Sequence, residues 1–164
     1  MESVTHVLAR RLLKIKDKKA RAVIGGQKLD SLISTIRRLA SVSSLGKRRS
    51  KELDLLLTQL DAISKFRSDL VHRGATVSGN EIVSGNLFTA KTYEAIEEVR
   101  FKIEHIRSAT SDLGAIYIRL SVFFRKKGDH TYPRRKYPHI YSPWGYKRLQ
   151  PMNLLTRPQN KNQR

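Results

Sequence analysis

The sequence predicts an all-α fold, a four- to five-helix bundle followed by a basic extended arm. Three observations point there. Apolar residues recur at three- and four-residue spacing over long stretches, Gly and Ser punctuate those stretches, and all five prolines lie beyond Gly128. A chain of 164 residues suits one domain with a tail, read as a bundle over residues 1–126 and an arm over 127–164.

The first helix is expected over residues 2–23. Val4, Val7, Leu8, Leu12 and Leu13 lie on one side, Arg10, Arg11, Lys14, Lys18 and Lys19 lie on the other, and Gly25 and Gly26 stop it. A second helix runs from Gln27 to Ser43 on Leu29, Leu32, Ile33, Ile36, Leu39, Ala40 and Val42, and a basic loop, SLGKRRS, follows. Ser50 reads as the N-cap of a third helix, Lys51 to His72, with Glu52 and Asp54 in its first turn. Its apolar set is Leu53, Leu56, Leu57, Leu60, Ile63, Leu70 and Val71, and Gly74 ends it. Residues 75–86, with Gly79-Asn80 and Gly85-Asn86, have the chemistry of a loop or a small hairpin. A long last helix is expected from Thr89 to Phe124. Its seam is Ile96, Val99, Ile103, Ile106, Thr110, Leu113, Tyr117, Leu120 and Phe124, which suits the core of an antiparallel bundle or a dimer interface.

Charge narrows the function. Lys and Arg number 33 against 14 Asp and Glu, a formal +19, which points to a polyanion such as RNA; solubility or an acidic protein partner is the plainer explanation. The segment from Arg125 onward holds 11 Lys and Arg and a single acid, Asp129, so bundle and arm are both basic. Without cysteine there is no disulfide, zinc-thiolate site or cysteine nucleophile, and the five His are scattered, so neither metal nor cofactor is expected. No window approaches a membrane span and the N-terminus lacks a signal-peptide block, which predicts a cytoplasmic protein with no membrane contact.

The segment FRSDLVHRG carries the candidate chemistry. Helical projection puts Arg67 near the centre of the third helix's apolar stripe, where a guanidinium calls for a carboxylate or a bound anion. Glu94, Glu97, Glu98 and Glu104 are possible carboxylates, and a side chain reaching to water is the other ordinary outcome. His72 follows five residues later at the helix end, where an imidazole also interacts favourably with the helix dipole. Arg with His at the fifth following position recurs at Arg100 and His105, Arg125 and His130, and Arg134 and His139. Of these pairs, Arg67 and His72 alone sit at a predicted helix end before Gly.

An Arg, a polar residue, three further residues and a His, on a helix ending in a basic residue and Gly, resembles the active motif of HEPN domains. The likeness runs from about Ala20 to Phe124 and leaves the arm uncovered. It implies a metal-independent endoribonuclease, as in toxins and defence factors. Arg67 would bind the scissile phosphate, and His72 would be the general acid or base for the 2′-hydroxyl and the 5′-oxygen. The likeness also implies a homodimer that joins two such motifs. Ser68 stands where the family often has Asn, and with Asp69 it is a supporting candidate. The alternative is a noncatalytic module that binds RNA, a ribonucleoprotein or an antitoxin.

Two further basic sets are RNA-binding candidates. The first is Lys47, Arg48, Arg49 and Lys51 before the third helix, with Lys65 and Arg73 along it. The second lies toward the arm and comprises Lys126, Arg134, Arg135, Lys136, Trp144, Lys147 and Arg148, where aromatic and basic residues interleave as base stacking and phosphate contact require.

Overall fold

Spacings of three and four between buried apolar residues build most of the helical layer. In the computed structural model, which describes residues 2–73, 75–79, 81–86, 90–92, 96–123, 135–147 and 152–153, the chain opens with α1 (Glu2–Leu13) and α2 (Asp17–Ile24). The single first helix expected over 2–23 is broken at Lys14, whose φ of 54° is left-handed and ends α1. The break lets α2 fold back: Ala20 and Ile24, one turn apart, are buried, and the Ile24 carbonyl lies 3.1 Å from His6 Nε2. Gly26, with φ 74°, ends α2 in the way glycine allows.

α3 (Leu29–Ser41) buries Leu32, Ile33, Ile36 and Ala40, the stripe its sequence spells out. α4 (Lys47–His72) has its N-cap at Gly46, four residues earlier than the Ser50 cap predicts, and buries Leu53, Leu56, Leu57, Gln59, Leu60, Ile63 and Phe66. α1 packs on α3, α3 on α4, α4 on α5 (Ile103–Val122), and α5 back on α1, so four helices close around one core.

The all-α expectation is corrected by an antiparallel sheet. Its strands are β1 (Ala75–Ser78), β2 (Glu81–Gly85), β3 (Glu97–Lys102) and the two-residue β4 (Met152–Asn153), in the spatial order β1-β2-β3-β4. The protein is a mixed fold of helices and sheet. β1 and β2 form the hairpin that the Gly79-Asn80 dipeptide suggests, with Ser78 opposite Glu81 and Thr76 opposite Val83. β3 falls where the long last helix was expected to begin. Glu97–Lys102 alternates, with Val99 and Phe101 buried and Arg100 exposed, and pairs with β2 through Val83–Arg100 and Ile82–Phe101. Ile96 and Val99, three apart, fit the helical spacing, whereas Val99 and Phe101, two apart, fit the strand, and Ile103 is 49% exposed and breaks the helical seam. Lys102 then caps α5, its N–H donating to His105 Nδ1 at 2.9 Å. Along α5 the buried positions are Ala109, Asp112, Ile116 and Leu120, while Thr110 and Tyr117 of the expected seam face outward.

The arm is docked over part of its length. Ile140, in the 3-10 turn Pro138–Tyr141, and Tyr146 are each 2% exposed. The Tyr146 ring lies 5.0 Å from that of Phe66, which meets Phe101 edge-on at 5.1 Å. Asp112 holds this closure: it is buried on α5 and accepts from the N–H of Gly145 (3.1 Å) and Tyr146 (2.9 Å) and from Gln59 Nε2 (2.9 Å), which also donates to the Tyr146 carbonyl. Three donors on one carboxylate compensate its removal from water.

Candidate nucleic-acid interface along the longest helix

α4 carries most of the sequence candidates. Its 26 residues span about 39 Å at 1.5 Å per residue. The two ends are built differently.

At the N-terminal end the SLGKRRS segment is mostly helix. Lys47, Arg48 and Arg49 form the first turn, Ser50 lies inside the helix, no side chain caps it, and that turn contains no acid. Lys47, Arg48, Arg49 and Lys51 are exposed, and none has an ion pair among the described residues. The nearest acids on α4 are engaged elsewhere: Glu52 accepts from Arg119 at 3.0 Å, and Asp54 pairs with Arg37 at 3.2 Å. Cations at the positive end of a helix dipole are disfavoured, so this turn has both the charge and the free N–H groups to receive an anion.

At the C-terminal end Phe66, and not Arg67, occupies the centre of the buried stripe. The helical projection is shifted by one residue, because the aromatic ring fills the space against Phe101 and Tyr146. Arg67, Ser68 and His72 are exposed. Arg67 makes no ion pair among the described residues; Glu94 lies outside them. Five residues turn a helix through about 500°, so Arg67 and His72 leave the axis about 140° apart. One chain therefore does not present them side by side.

The neighbouring charges are committed to structure. Arg73 Nε pairs with Asp69 at 3.1 Å and Arg73 Nη1 with Glu97 at 3.3 Å, while the Asp69 carbonyl accepts from Ser84 Oγ at 2.9 Å. These contacts fasten the end of α4 to β2 and β3. Lys65 pairs with Asp61 one turn earlier at 2.7 Å.

In the arm, Arg135, Lys136 and Lys147 are exposed, and Lys136 Nζ lies 5.8 Å from the Tyr137 ring centre. Lys126, Arg134 and Arg148 lie outside the described residues, as does Gly74. Trp144 is half-buried and packs in place: with Tyr141 it flanks the Arg119 guanidinium, at 5.2 and 5.5 Å. Arg119 Nε is buried without a hydrogen-bond partner among the described residues. Sequence reasoning missed Gln59, Asp112 and Arg119, although a Gln and an Asp inside apolar stripes are a usable signal of a buried polar contact. Among the described residues no group of His, Asp and Glu is placed to hold a metal ion, and no helix is long and apolar enough to cross a membrane. Comparison of the chain with protein-family models, with curated proteins and with solved structures returns no match.

Proposed function

We propose that the protein binds RNA through the bare, basic first turn of α4. One observation carries this reading: Lys47, Arg48, Arg49 and Lys51 are exposed at a helix N-terminus with no acid in that turn and no ion pair among the described residues. Four such cations on a backbone of phosphates release counterions, so affinity should fall steeply with salt.

The test is RNA binding by fluorescence anisotropy across a salt series. Replacing all four cations by Gln should weaken binding at low salt and reduce the slope of log K against log salt by about 3, at about 0.7 per lost contact on a single strand. An unchanged slope would place the RNA elsewhere.

A second reading is HEPN-type cleavage without metal, which is favoured by the exposure of Arg67 and His72 and by the assignment of Arg73, rather than Arg67, to the structural ion pairs. Because the two side chains diverge on one helix, this reading places a second chain's motif at the same phosphate. Incubation with RNA in EDTA, followed by end-group analysis, should give cyclic-phosphate ends with the wild-type chain and none with Arg67→Ala or His72→Ala. Cleavage retained by both variants removes these residues from the site.

A further inference from the structure

The docked arm brings aromatic side chains to the basic end of α4. Arg48 and Arg49 precede Glu52 by four and three positions on the helix, so the three side chains are neighbours on one face. Glu52 Oε1 accepts from Arg119 Nη2 at 3.0 Å, and the Arg119 guanidinium lies 5.2 Å from the ring centre of Trp144 and 5.5 Å from that of Tyr141. These contacts set both rings beside the face that carries Arg48 and Arg49. The charge around them is of one sign. Residues 135–147 add Arg135, Lys136 and Lys147, all exposed, and hold no acid, while Glu52 and Asp54 are taken up by Arg119 and Arg37.

We infer that the RNA received at the first turn of α4 is single-stranded and that one of its bases stacks on Trp144. The inference rests on the RNA reading proposed above and adds the strand class to it. Cations do not make that distinction, because a duplex and a single strand both present phosphates. An aromatic ring does: bases within a duplex are stacked on their neighbours, whereas an unpaired base offers its π-face.

Two features single out Trp144 among the rings of the arm. It is half-buried, so part of the indole remains in contact with solvent, whereas Tyr146 is 2% exposed and spent on Phe66, and Tyr137 lies against Lys136 and His139. It is also held in place before any ligand arrives. Ile140 on one side and Tyr146 on the other are buried, and the Asp112 carboxylate accepts from the N–H of Gly145 and Tyr146, directly after Trp144. A base that stacks there meets a ring already ordered, and less of the interaction is lost to immobilising it. Phosphates on either side of that base then fall to Arg48 and Arg49 of α4 and to the exposed cations of the arm.

Trp144 is the only tryptophan of the chain, so its fluorescence reports the stack directly. An unstructured, uridine-rich oligonucleotide added to the full chain should quench the indole emission, with the midpoint that anisotropy of the labelled RNA gives for binding. A duplex of the same length should bind at low salt and leave the emission unquenched. Trp144→Leu should weaken binding of the single strand about 5- to 150-fold, the range for one lost stack, without changing duplex affinity or the slope of log K against log salt. Trp144→Phe keeps a π-face and should recover most of the loss. The quenching measurement uses the wild-type chain and does not depend on how well the variants fold. RNA binding by anisotropy without quenching, or a Trp144→Leu variant that loses single strand and duplex equally, overturns the inference and leaves the RNA reading in place. Absence of RNA binding at any salt overturns both.

Discussion

The two ends of α4 differ in what is done with charge. Where the helix meets the sheet, Arg73 is held between Asp69 and Glu97, and Phe66 is locked between Phe101 and Tyr146. Where the helix begins, Lys47, Arg48 and Arg49 stand exposed without ion pairs among the described residues, at the end whose dipole repels them. One end is settled by contacts within the chain, and the other gains from an anion that the chain does not supply. A count of basic residues misses this distinction. Arg73 and Arg48 contribute equally to the net charge, but only Arg48 leaves its charge available to a ligand.

Substitutions can break or sharpen this contrast. The largest expected effect is at the settled end: Phe66→Ala should cost about 3–5 kcal/mol, the range for truncating a buried aromatic, measured by urea unfolding. Asp112→Ala comes next, because it leaves the Gln59 amide and the N–H groups of Gly145 and Tyr146 without their acceptor. A loss of about 2–3 kcal/mol is expected, with faster hydrogen exchange at Tyr146 than in the helices. Charge reversal at the bare end should act in the opposite direction. Arg48→Glu with Arg49→Glu places acids in the first turn and should raise stability by about 0.3–1 kcal/mol per residue, read as a higher urea midpoint, while weakening RNA binding. A variant that loses stability there would show that the turn is not electrostatically strained. The smallest effect is expected for Arg67→Ala, within about 0.5 kcal/mol of wild type, since an exposed side chain without an ion pair among the described residues holds nothing together. A larger loss in thermal melts would give Arg67 a structural role.

How far the sequence could be read depended on whether burial and local period agreed. α3 is legible because Leu32, Ile33, Ile36 and Ala40 follow one face without interruption. The hairpin is legible from Gly79-Asn80, whose turn chemistry is local. β3 is not legible in the same way. Ile96, Val99 and Ile103 fit a helical seam as neighbours in sequence, and only pairing with β2, a non-local event, decides for a strand. The site suffered from a comparable ambiguity. Phe66 and Arg67 are adjacent, both lie near the projected stripe, and packing against Phe101 and Tyr146, residues far along the chain, selects the ring. Asp112 is not legible because two of its three donors, the N–H groups of Gly145 and Tyr146, come from a segment whose prolines suggest a loose arm. The basic loop was recognised as a surface, while its helical conformation, which gives its charges their electrostatic context, was not.

The docking of Tyr146 also sets an order of events during synthesis. The hydrogen bond from Gln59 to the Tyr146 carbonyl spans 87 positions, and closing a loop of that length carries an entropic cost that local helix pairing avoids. On a growing chain α1 to α4 can associate while Gly145 and Tyr146 are still unmade. The side of Phe66 that meets Tyr146 and the Asp112 carboxylate then remain uncovered until residue 146 has emerged. The nascent protein thus passes through a stage with an open aromatic face beside an acid that lacks two of its three donors, and a chain terminated before Trp144 would be held at that stage.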